Sequence, residues 1–362
     1  MLRVVSMSIL ETVPMRKSVR YVMKGRPVRF LKKWLVADSD MFESRYSLTF
    51  DWYRKNTYDL LRQSYLSLSS GYDKMWVNDG SVLNQGIEVT LNANVIRTKD
   101  MNLNITAIFS RNRNKVLSLG NSTAAGLNTD PNTGMQYEFT GSALTYQPVG
   151  MVNILAVGQP MYVFYGYKTD GIIQSDAEGI AAGLSGDEAK AGEIKYVDIN
   201  NDGTVDEKDR TVIGNPNPDF TASMNLAFSY KKFEASMFLN GVFGNDVLYQ
   251  YGMTDAASQP LRWTVDNPSN EYPSLRNNRQ PKVSEWFVRD GSFVRIQEVN
   301  FGYNFGPQFN NAIENVKLYL NVSNLYTFTS FKGYDPEVGV DGIYWGGYPR
   351  FRKFSIGLNI TF

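Results

Sequence analysis

Oxygen-bearing side chains recur at alternate positions in DINNDGTVDEKDR, residues 198–210. Calcium loops take their ligands from positions 1, 3, 5, 7, 9 and 12, and they need a glycine at position 6 for a sharp turn. Gly203 occupies position 6, and the ligand positions hold Asp198, Asn200, Asp202, Thr204 through its carbonyl, Asp206 and Asp209. The spacing predicts a Ca²⁺ loop. The alternative is an acidic surface turn held by hydrogen bonds from its own Asp and Asn side chains.

The residues around this loop limit what bound calcium would do. Position 12 is Asp209 rather than the usual bidentate Glu, so the ligand is shorter by one methylene. The preceding GEIKYV, residues 192–197, has the pattern of a strand, whereas a calcium-sensing EF-hand needs a helix there. We therefore expect calcium to brace a loop and not to drive a switch.

The composition argues against an enzyme. The chain has no cysteine and no histidine, which excludes Cys, Ser–His and Cys–His catalysis and the usual zinc sites. A glycosidase needs two carboxylates held a fixed distance apart in a cleft. Asp335 and Glu337 form a close pair in sequence, but nothing positions them, and we interpret them as solvated loop acids.

Charge divides the chain near residue 44. Residues 1–36 hold nine basic side chains and one acid, Glu11, and so carry a net charge of +8. Because the whole chain carries +1, residues 37–362 carry a net charge of −7. The basic segment has neither the apolar core of a signal peptide nor the features of a nucleic-acid-binding module, so no nucleic acid is expected. We interpret residues 1–44 as a separate segment, translated from a wrong start or frame, and residues 45–362 as one structural unit.

From about residue 45, apolar and polar residues alternate with a period of two, which is typical of strands with one apolar face. GIEVTLNANV (86–95) and MNLNITAIFS (101–110) form a predicted hairpin, and a tight Lys231–Lys232 turn joins a second pair of strands. Long excursions separate these pairs, over residues 110–160, 168–218 and 244–285. Short turns that alternate with long loops favour an outer-membrane barrel over a large soluble antiparallel β protein.

The chain ends in an alternating strand that closes on an aromatic residue. One face of this strand is apolar and consists of Phe354, Ile356, Leu358, Ile360 and Phe362. Outer-membrane barrels commonly end in this way, and the barrel assembly machinery recognises the terminal strand. We therefore predict that these five residues form an assembly signal.

Several blocks resemble the SusC/RagA-like TonB-dependent outer-membrane transporters of Bacteroidetes. They are YRKNTYDLL (53–61), NDGSVLNQGIEVTL (78–91), GEIKYVDINNDGTVDEKDRTVIGNPNPDF (192–220), FVRIQEVNFGYNF (293–305), LYLNVSNLYTFTSFKGYDPEV (318–338) and FRKFSIGLNITF (351–362). The resemblance implies an all-β fold, the C-terminal part of a 22-stranded antiparallel transmembrane β-barrel. It also implies outer-membrane lipid around the barrel, a SusD-like lipoprotein partner, energy from TonB–ExbB–ExbD, and import of glycans or peptides.

The resemblance covers residues 45–362, in which we see ten to twelve strands and neither a plug domain nor a TonB box. The expectation is a truncated barrel that does not transport alone. Two alternatives stay open: a secreted, calcium-stabilised, β-rich glycan-binding protein, and the remnant of a broken gene. The aromatic loop at 341–351, with Tyr344, Trp345, Tyr348 and Phe351, is interpreted as an interfacial belt or as loop packing rather than as a sugar platform.

Overall fold

The computed structural model describes residues 2–8, 29–42, 45–65, 69, 71–72, 74–120, 127–144, 148–254, 256–275, 280–308 and 313–362. Most of the basic N-terminal segment, residues 9–28, lies outside the described residues. Within the described part, no helix has both the length and the apolar character needed to cross a membrane.

One large antiparallel sheet of ten strands dominates the fold. Its strands, in spatial order, are β1 (Leu2–Ser8), β2 (Arg29–Met41), β3 (Tyr46–Tyr58), β6 (Ser81–Arg97), β7 (Met101–Ser118), β15 (Phe220–Tyr230), β16 (Phe233–Phe243), β19 (Phe293–Gln308), β20 (Ile313–Thr329) and β22 (Lys353–Thr361). Eight of these described strands lie after residue 45, fewer than the ten to twelve that alternation predicts there, and β1 and β2 come from the segment that we interpreted as separate. Among the described residues no pairing joins β1 to β22, so these two strands are the edges of the sheet.

Both predicted hairpins are confirmed. β6 pairs with β7 around the turn at residues 98–100, and β15 pairs with β16 from Phe220↔Phe243 to Tyr230↔Phe233. The second hairpin turns on Lys231, whose φ of 52° lies in the left-handed region that a two-residue hairpin requires. Several strands are longer than the periodicity predicts: β6 has 17 residues and β7 has 18. A transmembrane strand needs only about 9–11 residues, so these strands extend beyond the span of a bilayer.

The two ends of the large sheet differ. At one end, the short-turn end, residues 42–45, 98–100 and 231–232 connect neighbouring strands. At the other, the long-loop end, residues 59–80 connect β3 to β6, and three further long connections are residues 119–219, 244–292 and 330–352. The predicted asymmetry between turns and loops is therefore present.

The three long connections fold together into a structure that we call the cap. Its described short elements are β8 (Asn128–Thr129), β9 (Gln136–Phe139), β10 (Asn153–Ala156), β11 (Val163–Tyr167), β12 (Thr169–Ile172), α1 (Asp176–Ala181), β13 (Ile194–Tyr196), β14 (Arg210–Gly214), β17 (Asp246–Tyr249), β18 (Val288–Asp290), β21 (Ile343–Tyr344) and 3₁₀ turns at Gly186–Ala189, Glu207–Asp209 and Glu285–Phe287. A further 3₁₀ segment covers Ala256–Leu261 in the cap, and a separate hairpin of β4 (Leu61–Tyr65) and β5 (Lys74–Asn78) lies between β3 and β6.

The main hydrophobic core lies in the cap and not against the large sheet. Phe164 from the first long connection, Leu248 and Phe287 from the second and Ile343 from the third are at most 1% exposed and belong to one cluster. The parallel pairing of β17 with β21, through Leu248↔Ile343, joins the second and third connections directly. The cap is thus held by its own core, which keeps the long connections ordered above the strands.

Candidate functional site

The large sheet exposes its apolar face. On the edge strand β22, Phe354 is 66% exposed, Ile356 79% and Leu358 57%. The same face continues across the sheet with exposed Leu48, Leu91, Phe228, Phe301 and Leu318. A contiguous exposed apolar surface of this kind marks contact with a membrane or a protein. All five residues of the predicted assembly signal are exposed, although their role as a signal stays a prediction.

The opposite face is polar, and its side chains bond to one another across strands. Asn92 Nδ2 donates to Ser47 Oγ at 3.4 Å, and Thr106 Oγ1 donates to Asn92 Oδ1 at 2.9 Å. Farther along the sheet, Asn321 Nδ2 donates to Asn300 Oδ1 at 2.7 Å and to Glu298 Oε1 at 2.6 Å. Cross-strand pairing satisfies these polar groups, which suits a wall that lines a water-filled or protein-filled interior.

The predicted calcium loop lies in the cap between β13 and β14 and is closed by its own hydrogen bonds. Asp198 Oδ2 accepts from Gly203 N at 2.8 Å, Asn200 Oδ1 from Asp202 N at 2.8 Å, and Asp202 Oδ1 from Thr204 N at 3.0 Å. Gly203 has a φ of +86°, so the left-handed turn that the spacing required is present.

Asp209 organises the other half of the loop. Its side chain is fully buried, Oδ1 accepts from the backbone N–H groups of residues 199 and 200, and Oδ2 accepts from Asp206 N at 2.8 Å. Asp206 Oδ1 in turn accepts from Lys208 N, and this backbone hydrogen bond is the main cause that lowers the pKa of Asp206. The loop therefore holds its shape through carboxylates bonded to backbone, as the surface-turn alternative proposed.

The geometry only partly suits a cation. Asp198 Oδ1 is buried without a hydrogen-bond partner, which leaves one carboxylate oxygen free for a ligand. Lys208 Nζ, however, lies 3.2 Å from Asp206 Oδ2 and 3.7 Å from Asp202 Oδ2, where it competes with a cation. Within the described residues no group of three or more His, Cys, Asp or Glu side chains is arranged to hold a metal. Calcium binding by this loop stays a prediction.

A network of two cations and two anions ties the third long connection to the sheet. Arg295 on β19 is 4% exposed in its side chain and donates to Asp335 Oδ1 at 2.7 Å and to Glu337 Oε2 at 2.6 Å. Arg350 reaches the same two carboxylates, at 2.5 Å and 2.9 Å. Arg295 Nε also donates to Thr327 Oγ1 at 2.9 Å, which fixes the guanidinium plane. We call these four charged residues the Arg295 clamp.

The clamp corrects one interpretation of the sequence. Asp335 is not a solvated loop acid, because its side chain is only 14% exposed, and Glu337, although 45% exposed, is paired with the same two arginines. Forty residues separate Arg295 from Asp335, so no local pattern could have joined them. The sequence does contain one indication of the clamp: Arg295 lies inside an otherwise alternating strand, FVRIQEVNF, where a charge needs a partner.

The aromatic loop divides into a packed part and an exposed part. Tyr344 is 7% exposed and its ring contacts Tyr249, Tyr251 and Phe331 at centroid distances of 5.4 to 6.0 Å. Tyr348, by contrast, is 99% exposed, and Phe351 is 79% exposed. Tyr344 therefore contributes to loop packing, while the loop end presents free rings at the long-loop end of the sheet.

The curated proteins that are similar to this chain are described as TonB-dependent receptors. TonB-dependent receptor P3 of Formosa agariphila is 31% identical over 347 residues, which is 90% of this chain and 33% of that receptor. TonB-dependent receptor P26 of the same organism is 31% identical over 352 residues, and SusC of Bacteroides thetaiotaomicron is 26% identical over 321 residues. The resemblance to SusC-type TonB-dependent receptors is confirmed. No protein-family model matches the chain.

Solved structures agree with the sequence relatives. The RagAB peptide transporter matches with a TM-score of 0.72 at 21% identity, over 93% of this chain and 36% of that chain. The RagAB peptide importer in its closed-closed state matches with a TM-score of 0.71. The predicted antiparallel β fold of a TonB-dependent transporter is thereby confirmed. The chain spans about a third of the length of the relatives that it matches.

Proposed function

We propose that this chain supplies part of the transmembrane wall and of the extracellular cap of a SusC-like TonB-dependent transporter, which imports glycans or peptides across the outer membrane. One observation carries the proposal: the large apolar side chains of the strands are exposed in rows, while the buried core lies in the cap. A soluble protein would cover such a face with a second layer. Lipid can cover this face of the inner strands, because each of them pairs on both sides; the edges β1 and β22 need neighbouring strands of a closed barrel to satisfy their backbone groups.

The orientation follows from the two ends of the sheet. Outer-membrane barrels have short periplasmic turns and long extracellular loops, which assigns the cap to the extracellular side. The polar face, with its Asn and Ser rungs, then faces the barrel interior. A SusD-like lipoprotein would pack on the cap, and TonB–ExbB–ExbD would supply energy through parts of the transporter. The relatives are named as receptors and transporters and not as enzymes, which supports transport.

The solved structures that are similar to this chain narrow the proposed class of substrate. RagAB is named a peptide transporter and importer, which favours peptides, while the SusC-like sequence relatives leave glycans open. Uptake assays with labelled peptides and labelled oligosaccharides in cells that carry the transporter would separate the two.

Membrane insertion is the direct test. Ile356 on β22 faces the exposed apolar side, and its neighbour Ser355 faces the polar side. We expect Ile356→Arg to lower outer-membrane insertion, since arginine on a lipid face costs about 2–4 kcal/mol near the bilayer midplane. Ser355→Arg is the matched control and should insert normally. Equal behaviour of both variants, or recovery of the chain in the soluble fraction without detergent, would overturn the proposal.

A further inference from the structure

The short-turn end of the sheet carries a compact group of basic side chains. Arg97 and Lys99 lie at the tip of the β6–β7 hairpin, and Lys231 and Lys232 form the tip of the β15–β16 hairpin. The two tips are adjacent because β7 pairs with β15, and Lys231 N donates to Asp100 O at 2.7 Å. All four side chains are exposed. We call this group the basic rim.

Among the residues that the structure describes, no carboxylate neutralises the charge of the basic rim. Asp100 is the acid at these two tips, against four cations, and none of the four cations forms an ion pair with a carboxylate of the described part of the chain. Glu234, close by on β16, is instead paired with Lys317 at 2.5 Å. Strongly hydrated ammonium groups kept together without counter-charges form a site for an external anion.

Aromatic side chains lie between the basic rim and the apolar face. Tyr230 is 43% exposed, Phe233 59% and Phe305 42%. Phe233 and Tyr303 make an edge contact at 4.7 Å, and Tyr303 contacts Phe305 at 4.8 Å. Above them the same face continues with apolar Leu226, Phe228 and Phe301, as the strand pairing requires. Along the strands the order is thus apolar, aromatic and basic, which is the order of hydrocarbon, interface and headgroup in a bilayer.

Two contacts hold the lysines at the level of the aromatic side chains. Lys231 Nζ lies 5.4 Å from the centroid of the Tyr230 ring, and Lys232 Nζ donates to the carbonyl of Phe305 at 3.1 Å. The ammonium groups are therefore near the edge of the apolar face and not free in the water beyond it. Each ammonium group has three N–H donors and therefore retains donors for a further acceptor.

We propose that the basic rim, with Tyr230 and Phe233, binds the phosphate headgroup of an anionic glycerophospholipid in the leaflet that faces the short turns. The inference rests on the proposed membrane function, because it requires the apolar face to be in lipid. Juxtamembrane lysines and arginines gain free energy near anionic lipid that corresponds to about a fivefold increase in affinity for each charge at low salt.

The experiment uses the 362-residue chain and vesicles of phosphatidylcholine, with or without phosphatidylglycerol. Flotation with the neutral vesicles measures insertion, and native mass spectrometry after mild extraction measures the phosphatidylglycerol retained relative to phosphatidylcholine. Wild type should retain phosphatidylglycerol preferentially, and Lys231→Gln/Lys232→Gln should reduce that preference by about fivefold for each lysine removed. The control Lys168→Gln/Lys332→Gln removes two exposed lysines of the cap and should leave it unchanged.

The outcomes separate the two proposals. Normal insertion without preference for phosphatidylglycerol, or equal loss in both double variants, overturns the lipid site alone. In a further vesicle preparation that contains both lipid A and phosphatidylglycerol, stronger retention of lipid A also overturns it, because lipid A belongs to the opposite leaflet. Failure to float with neutral vesicles overturns the membrane function and the lipid site with it.

Discussion

Replacing Arg295 by methionine tests how the cap is attached to the strands. Methionine keeps an unbranched stem, although a shorter one, and removes the charge and the donors to Asp335, Glu337 and Thr327. Asp335, which is 14% exposed in its side chain, then keeps only Arg350 as its cation. The change leaves a nearly buried carboxylate short of one partner.

The magnitude follows from burial. Breaking a fully buried ion pair costs about 3–5 kcal/mol. Glu337 is 45% exposed and stays paired with Arg350, so its share of the loss is screened by water. We therefore expect the opening of the segment 330–352 to become easier by about 2–3 kcal/mol, which is at or below the lower end of that range. This corresponds to about 30- to 150-fold faster exchange of the amides that the segment protects.

Hydrogen exchange can follow named amides. Tyr334 N donates to the Tyr344 hydroxyl at 3.1 Å, and Glu337 N donates to Asp335 Oδ1 at 2.9 Å, so both report on the closed segment. The control is Arg113→Met, because Arg113 pairs with Asp219 at the surface and such a pair contributes about 0.2–1 kcal/mol. It should leave exchange in this segment unchanged.

A second variant distinguishes charge burial from lost packing. Adding Asp335→Asn to Arg295→Met removes the carboxylate that lacks a partner, so part of the protection should return. If Arg295→Met changes these amides by less than about threefold, or if the added Asp335→Asn gives no recovery, the clamp does not hold the segment.

Three further outcomes are expected in the cap. Calorimetry should show Ca²⁺ binding to the loop 198–209 that is lost in Asp202→Ala; heat that does not depend on Asp202 contradicts the calcium prediction. Burial raises the pKa of Asp246, so the stability linked to this group is complete below the ordinary Asp pKa and is lost as the pH rises through the raised value. Asp246→Asn should therefore remove that loss. If hydrogen exchange in the cap depends on pH in the same way in this variant and in the wild type, the assignment of the loss to Asp246 is refuted. Gly342→Ala should destabilise the cap by about 1–3 kcal/mol, because a Cβ there would lie 2.3 Å from Pro216 and φ is +68°; Gly347→Ala, in open space, is the control, and equal melting temperatures would contradict the packing argument.

Periodicity predicted the strands well because the period of two is a local property. The alternation in GIEVTLNANV and MNLNITAIFS was sufficient to place a hairpin. The short turn Thr98–Asp100 sets the register of β6 with β7, and Lys231–Lys232 sets that of β15 with β16. The same reasoning placed Asp198, Asp202 and Gly203 in a sharp loop, since a turn of this kind depends on neighbours only a few residues away. Whether the loop binds a metal depends on where the Lys208 ammonium lies. The spacing of residues along the sequence does not specify that position.

The amino-acid sequence by itself located most strands of the large sheet after residue 45, but not β2, and determined which face of each is apolar and which family the chain resembles. Only the tertiary structure decided that Phe164, Leu248 and Ile343 form one core in the cap and that Arg295 neutralises Asp335. The reason is physical: alternation acts between residues two apart, whereas these contacts join segments tens of residues apart, and closing such long loops costs entropy that only the assembled core and the paired charges offset.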